Sequence, residues 1–344
     1  MVDLLLDFKT NSPLKGDNPK MVILSESGEE FKVRFIDKKA QAIINEGVCM
    51  ANMEISGNRQ WYTDWLIEVY RMDGTLLKRA EFEPMFKKIF IKIDAYALGD
   101  NLAWMPYVEE FRKKHFCDVI CSTFFNELFS KAYPEILFVK PNTNIDNVYA
   151  QFYIGATNEV NMSYSPVVST DVPLQKVGSE VLGLDYEEIR PKIVYHMRPN
   201  NIDGKYVCLS EWASDEKKKW QYSGGWQQVV DFLVSVGYKV VVISKEPTEL
   251  RNVIDRTGDI PLNDRINDLI YCDFFLGVSS GLSWLAWALN KSVVMISDVT
   301  PKWHEFQTNV LRFCKNDIQK VDYSPHNPTL PSEVIDELVK RLVV

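Results

Sequence analysis

From about residue 86 the chain repeats one pattern, a short apolar run, a loop and an amphipathic stretch, and this alternation restricts the fold more than any other feature. Residues 86–93 (FKKIFIKI) read as a strand, 98–101 as a loop, 102–114 as an amphipathic helix, 118–122 as the next strand and 135–139 as a further short one. The pattern resumes with a strand at 206–209, a helix over 225–236 and a strand at 239–244 (KVVVIS). A short helix at 265–271, a strand at 273–278 (DFFLGV), a helix at 282–289 and a strand at 292–296 (SVVMI) complete it. Strands this continuously apolar, alternating with helices, predict parallel sheets covered on both faces.

The first 85 residues have a different character. Residues 31–37 alternate in sidedness, 61–70 (WYTDWLIEVY) are aromatic and β-branched, and 76–82 follow a turn at Asp73-Gly74. They predict a small antiparallel β domain over 1–85. A proline-punctuated stretch, 166–204, reads as a linker between a first Rossmann-like domain at 86–165 and a second at 205–344. At 344 residues the chain exceeds one ordinary hydrophobic core, which agrees with this division. The expected fold class is α/β, with a cleft between the carboxyl ends of two sheets, where such folds bind ligands.

With 39 basic against 47 acidic residues the net charge is −8, which argues against a nucleic-acid partner. No apolar run is long enough to span a membrane, and the first residues, MVDLLLD, lack the basic start of a signal peptide, so a cytoplasmic location is expected. The six cysteines are scattered and read as buried thiols. Cys117 and Cys121 find no second pair, and His115, His196, His304 and His326 are each solitary, so no metal and no cofactor is expected.

Two strand-to-helix junctions carry the candidate chemistry. Asp100, in Leu98-Gly99-Asp100-Asn101, projects from a helix start toward the expected cleft, where a carboxylate can accept a proton; alternatively it caps the helix. In the second half, Ser279, Ser280, Gly281 and Leu282 open a helix with small residues and free N–H groups, which suits a nucleotide diphosphate; the alternative is an ordinary serine cap with turn glycines. One lysine of the run Lys217-Lys218-Lys219, just before Trp220, is placed to neutralise a departing diphosphate.

These segments together resemble the heptosyltransferases. Residues 97–111 (ALGDNLAWMPYVEEF) are similar to the Gly-Asp loop and helix of the branch that modifies bacterial autotransporter adhesins, and 277–289 (GVSSGLSWLAWAL) to its nucleotide-binding turn. The resemblance implies a GT-B fold of two Rossmann-like domains, with a nucleotide sugar as one partner and an adhesin as the protein acceptor. It implies inverting transfer of heptose from ADP-heptose to serine hydroxyls, Asp100 as base, Gly99 and Asn101 at the acceptor side, and Lys218 on phosphate, with Lys217 or Lys219 as alternatives. Where the lipopolysaccharide branch carries Asp-Thr-Gly-Leu-Ser-His, this chain has Ser279 to Trp284, which points to the protein-modifying branch. Family members carry a C-terminal cysteine cluster for iron, whereas Cys314 is the only cysteine after Cys272, so the iron site is expected to be missing and its associated oligomer is left open. Another nucleotide sugar, a glycan acceptor or a non-catalytic binding role are the competing expectations.

Overall fold

The computed structural model describes residues 3–9, 20–26, 28–143, 145–156, 165–315, 321–322 and 327–342. The amino-terminal part contributes β1 (Asp3–Lys9), β2 (Lys20–Leu24), β3 (Glu30–Asp37), β4 (Ala42–Met50), β5 (Glu54–Ser56), β6 (Trp65–Arg71) and β7 (Leu76–Glu81). Next come β8 (Lys88–Ile93), α1 (Leu98–His115), β9 (Asp118–Ser122), α2 (Asn126–Phe129), β10 (Ile136–Val139), β11 (Ala150–Ile154) and α3 (Leu174–Val181). The carboxyl-terminal part holds β12 (Tyr206–Ser210), α4 (Gly225–Ser235), β13 (Lys239–Val242), β14 (Ile254–Asp255) and α5 (Leu262–Tyr271), followed by β15 (Phe274–Val278), α6 (Gly281–Ala288), β16 (Ser292–Ile296), β17 (Val310–Phe313) and α7 (Pro331–Leu342).

Among the described residues the strands form three sheets. One has the order β10-β9-β8-β11-β1-β2-β5, a second the order β14-β13-β12-β15-β16-β17, and the third the order β4-β3-β6-β7. Every pairing in the second sheet is parallel, as its apolar strands predict. The third is antiparallel throughout and corresponds to the alternation read before residue 82.

The strands before residue 85 do not stay together, which corrects the expectation of one separate β unit there. β1 pairs in parallel with β11, and β2 and β5 follow antiparallel, so these three extend the first parallel sheet. The physical reason is an edge: without β1, β11 would end the sheet with unpaired backbone groups.

The expected linker also holds more structure than its prolines suggest. α3 lies within it and packs on α1, where the indole of Trp104 donates to the Leu174 carbonyl at 2.7 Å and the Tyr107 hydroxyl to the Glu187 carbonyl at 2.6 Å. Gly178 of α3 permits this contact, since a Cβ there would sit 3.1 Å from the Tyr107 ring.

α1 is buried continuously from Asn101 to Val108, more than the amphipathic pattern read for 102–114 suggests, while its last turns carry the charged residues Glu109, Glu110, Arg112, Lys113 and Lys114. It packs against α6, and one continuous core runs from the first sheet through these two helices to one face of the second. The opposite face of the second sheet is covered by α4 and α7.

Candidate active site

The two strand-to-helix junctions singled out in the sequence meet in space, and glycines let them do so. A Cβ on Gly281 would lie 3.0 Å from the Leu98 side chain and 3.3 Å from the Gly99 nitrogen, while one on Gly99 would lie 3.1 Å from the Trp284 ring. The amino termini of α1 and α6 are therefore in contact. Each helix start leaves N–H groups without intrahelical acceptors, so the junction is positively polarised from both sides.

Asp100 is the third residue of α1, and the helix is entered through Ala97 without any side-chain cap, so Asp100 does not serve as the capping residue. It is half-buried at a small cavity of about 260 Å³, which Asp94, Tyr96 and Tyr153 also line. Burial pushes its carboxyl up to about 6, against the opposing pull of the Lys218 ammonium. A helix start ordinarily favours a carboxylate, so desolvation is the stronger effect here.

Asn101 is placed differently from the expectation. It is fully buried, and its amide donates to the carbonyls of Ala95 and Ala97, each at 2.8 Å. Its NH2 group thus fixes the loop that carries Asp100, while its Oδ1 is buried without a hydrogen-bond partner among the described residues.

The second junction divides its serines between two tasks. Ser279 is buried and donates to Glu305 at 2.5 Å, so its hydroxyl points into the protein and away from any phosphate. Ser280 stands at the start of α6 with its hydroxyl oxygen unpartnered among the described residues, because Ser283 takes the capping contacts, accepting from the Ser280 N–H at 3.1 Å and donating to its carbonyl at 2.6 Å. Ser280, Gly281 and Leu282 line an open cavity of about 550 Å³, which is also lined by Ser210 at the end of β12, Trp212 just beyond it and Arg265 of α5. This lies at the carboxyl ends of the second sheet's strands, as the fold rule requires. A cavity of about 460 Å³ opens at the amino ends of β15, β16 and β17 and touches none of the expected residues.

Of the three lysines, Lys219 is engaged with Glu216 at 3.2 Å and lies 3.5 Å over the Trp212 ring. Lys217 is exposed. Lys218, in a turn of 3-10 helix spanning Glu216–Lys218, is half-buried and its charge is felt at Asp100, Glu305 and His304.

Sequence reasoning missed the buried support beneath this site. Burial alone would raise the Glu305 carboxyl, but Arg312, His304, the Ser279 hydrogen bond and Lys218 outweigh it and hold it at about 2. Arg312 pairs with Glu305 and donates to the Phe306 carbonyl at 3.1 Å. His304 is buried with Nδ1 3.2 Å from the Val172 carbonyl, and burial pushes its pKa down. A charged Glu in the segment PKWHEF was the one available signal, and its partner on β17 was not inferable from local pattern.

A parallel sheet with a cavity at the start of one helix, faced by a carboxylate on an adjoining helix, is an arrangement suited to transferases that act on nucleotide-activated substrates. The fold agrees: a solved ADP-heptose lipopolysaccharide heptosyltransferase II of Escherichia coli superposes with a TM-score of 0.54 at 11% identity, over 74% of this chain and 98% of that one. The chain belongs to the autotransporter heptosyltransferases. It is 30% identical to BAHTCr of Citrobacter rodentium over 303 residues, which cover 83% of this chain and 72% of that relative. A solved structure of TibC from enterotoxigenic E. coli superposes with a TM-score of 0.79 at 26% identity, covering 90% of this chain and 81% of TibC; it is also known in complex with ADP-D-β-D-heptose. BimC of Burkholderia thailandensis, 28% identical over 267 residues covering 74% of this chain and 63% of that relative, is named an inactive member. No protein-family model matches the chain.

The comparison corrects the expectation of a chain without a cofactor. TibC, a solved relative, is an iron-containing dodecamer. The described residues do not fit such a site: no three His, Cys, Asp or Glu side chains among them come together to hold a metal ion. The thiols of Cys208, Cys272 and Cys314 instead donate to the carbonyls of Asp268, Leu269 and Thr300. His326 lies outside the described residues. Among the described residues no helix is long and apolar enough to cross a membrane.

Proposed function

We propose that this chain is an inverting protein O-heptosyltransferase that moves heptose from ADP-heptose to serine hydroxyls of an autotransporter adhesin. The observation that carries this reading is the contact of the two helix starts, which sets the raised carboxyl of Asp100 beside the cavity edged by Ser280 and Gly281. ADP lies in the larger cavity on the 205–344 side, and the acceptor enters the smaller one on the 86–165 side, with 166–204 joining the two across a GT-B cleft. The charged donor does not cross a bilayer unaided, which supports a reaction on the side where the donor is made, here taken as the cytoplasm.

In the displacement the serine oxygen attacks the anomeric carbon from the face opposite the diphosphate. The bond from that carbon to the phosphate oxygen breaks, ADP leaves with the electron pair, and the serine proton passes to Asp100. Lys218 and the N–H groups at the start of α6 neutralise the charge that gathers on ADP. A carboxylate near pH 6 is a better base toward an alcohol than an ordinary aspartate, and transfer completes late, as the hydroxyl acidifies.

Because burial disfavours the ionised form, Asp100 is protonated and idle below its raised pKa. The kcat/KM for heptose transfer is therefore expected to reach half its plateau near pH 6 and to fall about tenfold per pH unit below that. A limb near pH 4 in the pH profile contradicts the burial-raised base. The non-catalytic alternative is favoured by one observation, the inactive BimC relative, and it predicts nucleotide binding with no transfer at any pH.

A further inference from the structure

Tyr96 leaves 80% of its surface exposed, yet its loop is held firmly. The buried Asn101 amide donates to the carbonyls on both sides of it, those of Ala95 and Ala97, at 2.8 Å each. Its ring stacks on Phe124 with centroids 4.1 Å apart and planes inclined by 30°. One face of the aromatic pair is thus presented in a fixed orientation, without the entropy cost of immobilising a loose loop on binding.

Its location gives that face a purpose. Tyr96 lines both the larger cavity edged by Ser280, Gly281 and Leu282 and the smaller one containing Asp100, so it stands where the two join. A sugar bonded to a diphosphate in the first cavity must turn its anomeric carbon toward an acceptor oxygen in the second. The ring of that sugar can lie only at the junction. The C–H face of a pyranose packs on an aromatic face while its hydroxyls stay at the rim in water, an amphipathic match that an aliphatic side chain offers less well.

We propose that Tyr96, backed by Phe124, is the platform for the transferred sugar ring of the donor, and so a residue that distinguishes a sugar nucleotide from the bare nucleotide; this rests on the larger cavity taking the nucleotide, as proposed above. Calorimetric titration of the full chain with ADP and with ADP-heptose tests it. For Tyr96→Ala the ratio of the two affinities is expected to shift against ADP-heptose by roughly two- to tenfold, the scale of one aromatic contact. Tyr96→Phe, which keeps the ring, is expected to leave the ratio at the wild-type value. A ratio unchanged in Tyr96→Ala overturns the platform, whatever happens to the absolute affinities. A wild-type chain that binds neither ligand overturns the nucleotide reading first and the platform with it.

Discussion

Replacing Asp100 by Asn is expected to lower heptose turnover by about two to four orders of magnitude, the usual cost of losing a general base, while ADP binding is retained. The amide nearly matches the carboxyl in size but cannot take the serine proton. Stability is expected to move the other way. The folded-state carboxyl, near 6, lies above its ordinary value of 3.8, so the folded chain holds an extra proton between those values. Wild-type stability therefore declines as pH rises through that window, and the Asn variant lacks the decline. Thermal unfolding at pH 7 should find the variant at least as stable as the wild type, alongside its lost turnover. An aspartate kept for structure gives the opposite pair of results, normal turnover and a lowered Tm.

Lys218→Ala is expected to weaken ADP binding by about ten- to a hundredfold, the range of one charge-assisted hydrogen bond removed from a partly desolvated phosphate site. A second effect follows from the same residue, because its ammonium now lowers the Asp100 pKa. Without it the acid limb of kcat/KM moves to higher pH. Calorimetry reads the first effect and the pH profile of residual activity the second. Lys217→Ala and Lys219→Ala serve as controls, since Lys217 is exposed and Lys219 is spent on Glu216 and Trp212. An unshifted limb in Lys218→Ala would show that its charge does not act on Asp100.

Much of this arrangement is legible in the sequence because it is local. The strand-to-helix junctions at Gly99-Asp100 and Ser280-Gly281 each announce themselves by an apolar run, small residues and a periodic helix, and residues 118–122 and 292–296 are strands with the bounds their patterns suggest. What pattern cannot convey is the partner. Nothing near Ser279 shows that its hydroxyl is claimed by Glu305, or that Glu305 is neutralised by Arg312 on β17. Asn101 adjoins Asp100 in sequence, yet its amide nitrogen donates to two carbonyls of the preceding loop. The same limit separates strand from sheet. β1 and β3 both precede residue 85, but β1 finds its neighbour in β11, so proximity in sequence misassigned it. α3 was obscured by Pro173 before it and Gly178 within it, residues that ordinarily mark breaks and here serve entry to the helix and contact with α1.

Family membership leaves activity as the central question, since an inactive relative aligns with this chain almost as well as the active ones. The most direct measurement is the intact mass of an autotransporter adhesin passenger after incubation with the purified chain and ADP-heptose, with the Asp100→Asn variant in parallel. The proposed function predicts mass steps of one heptose on the adhesin, located at serines by fragmentation, with stoichiometric release of ADP and neither product from the variant. An unmodified adhesin in the presence of bound ADP-heptose would contradict it and place the chain with the inactive branch.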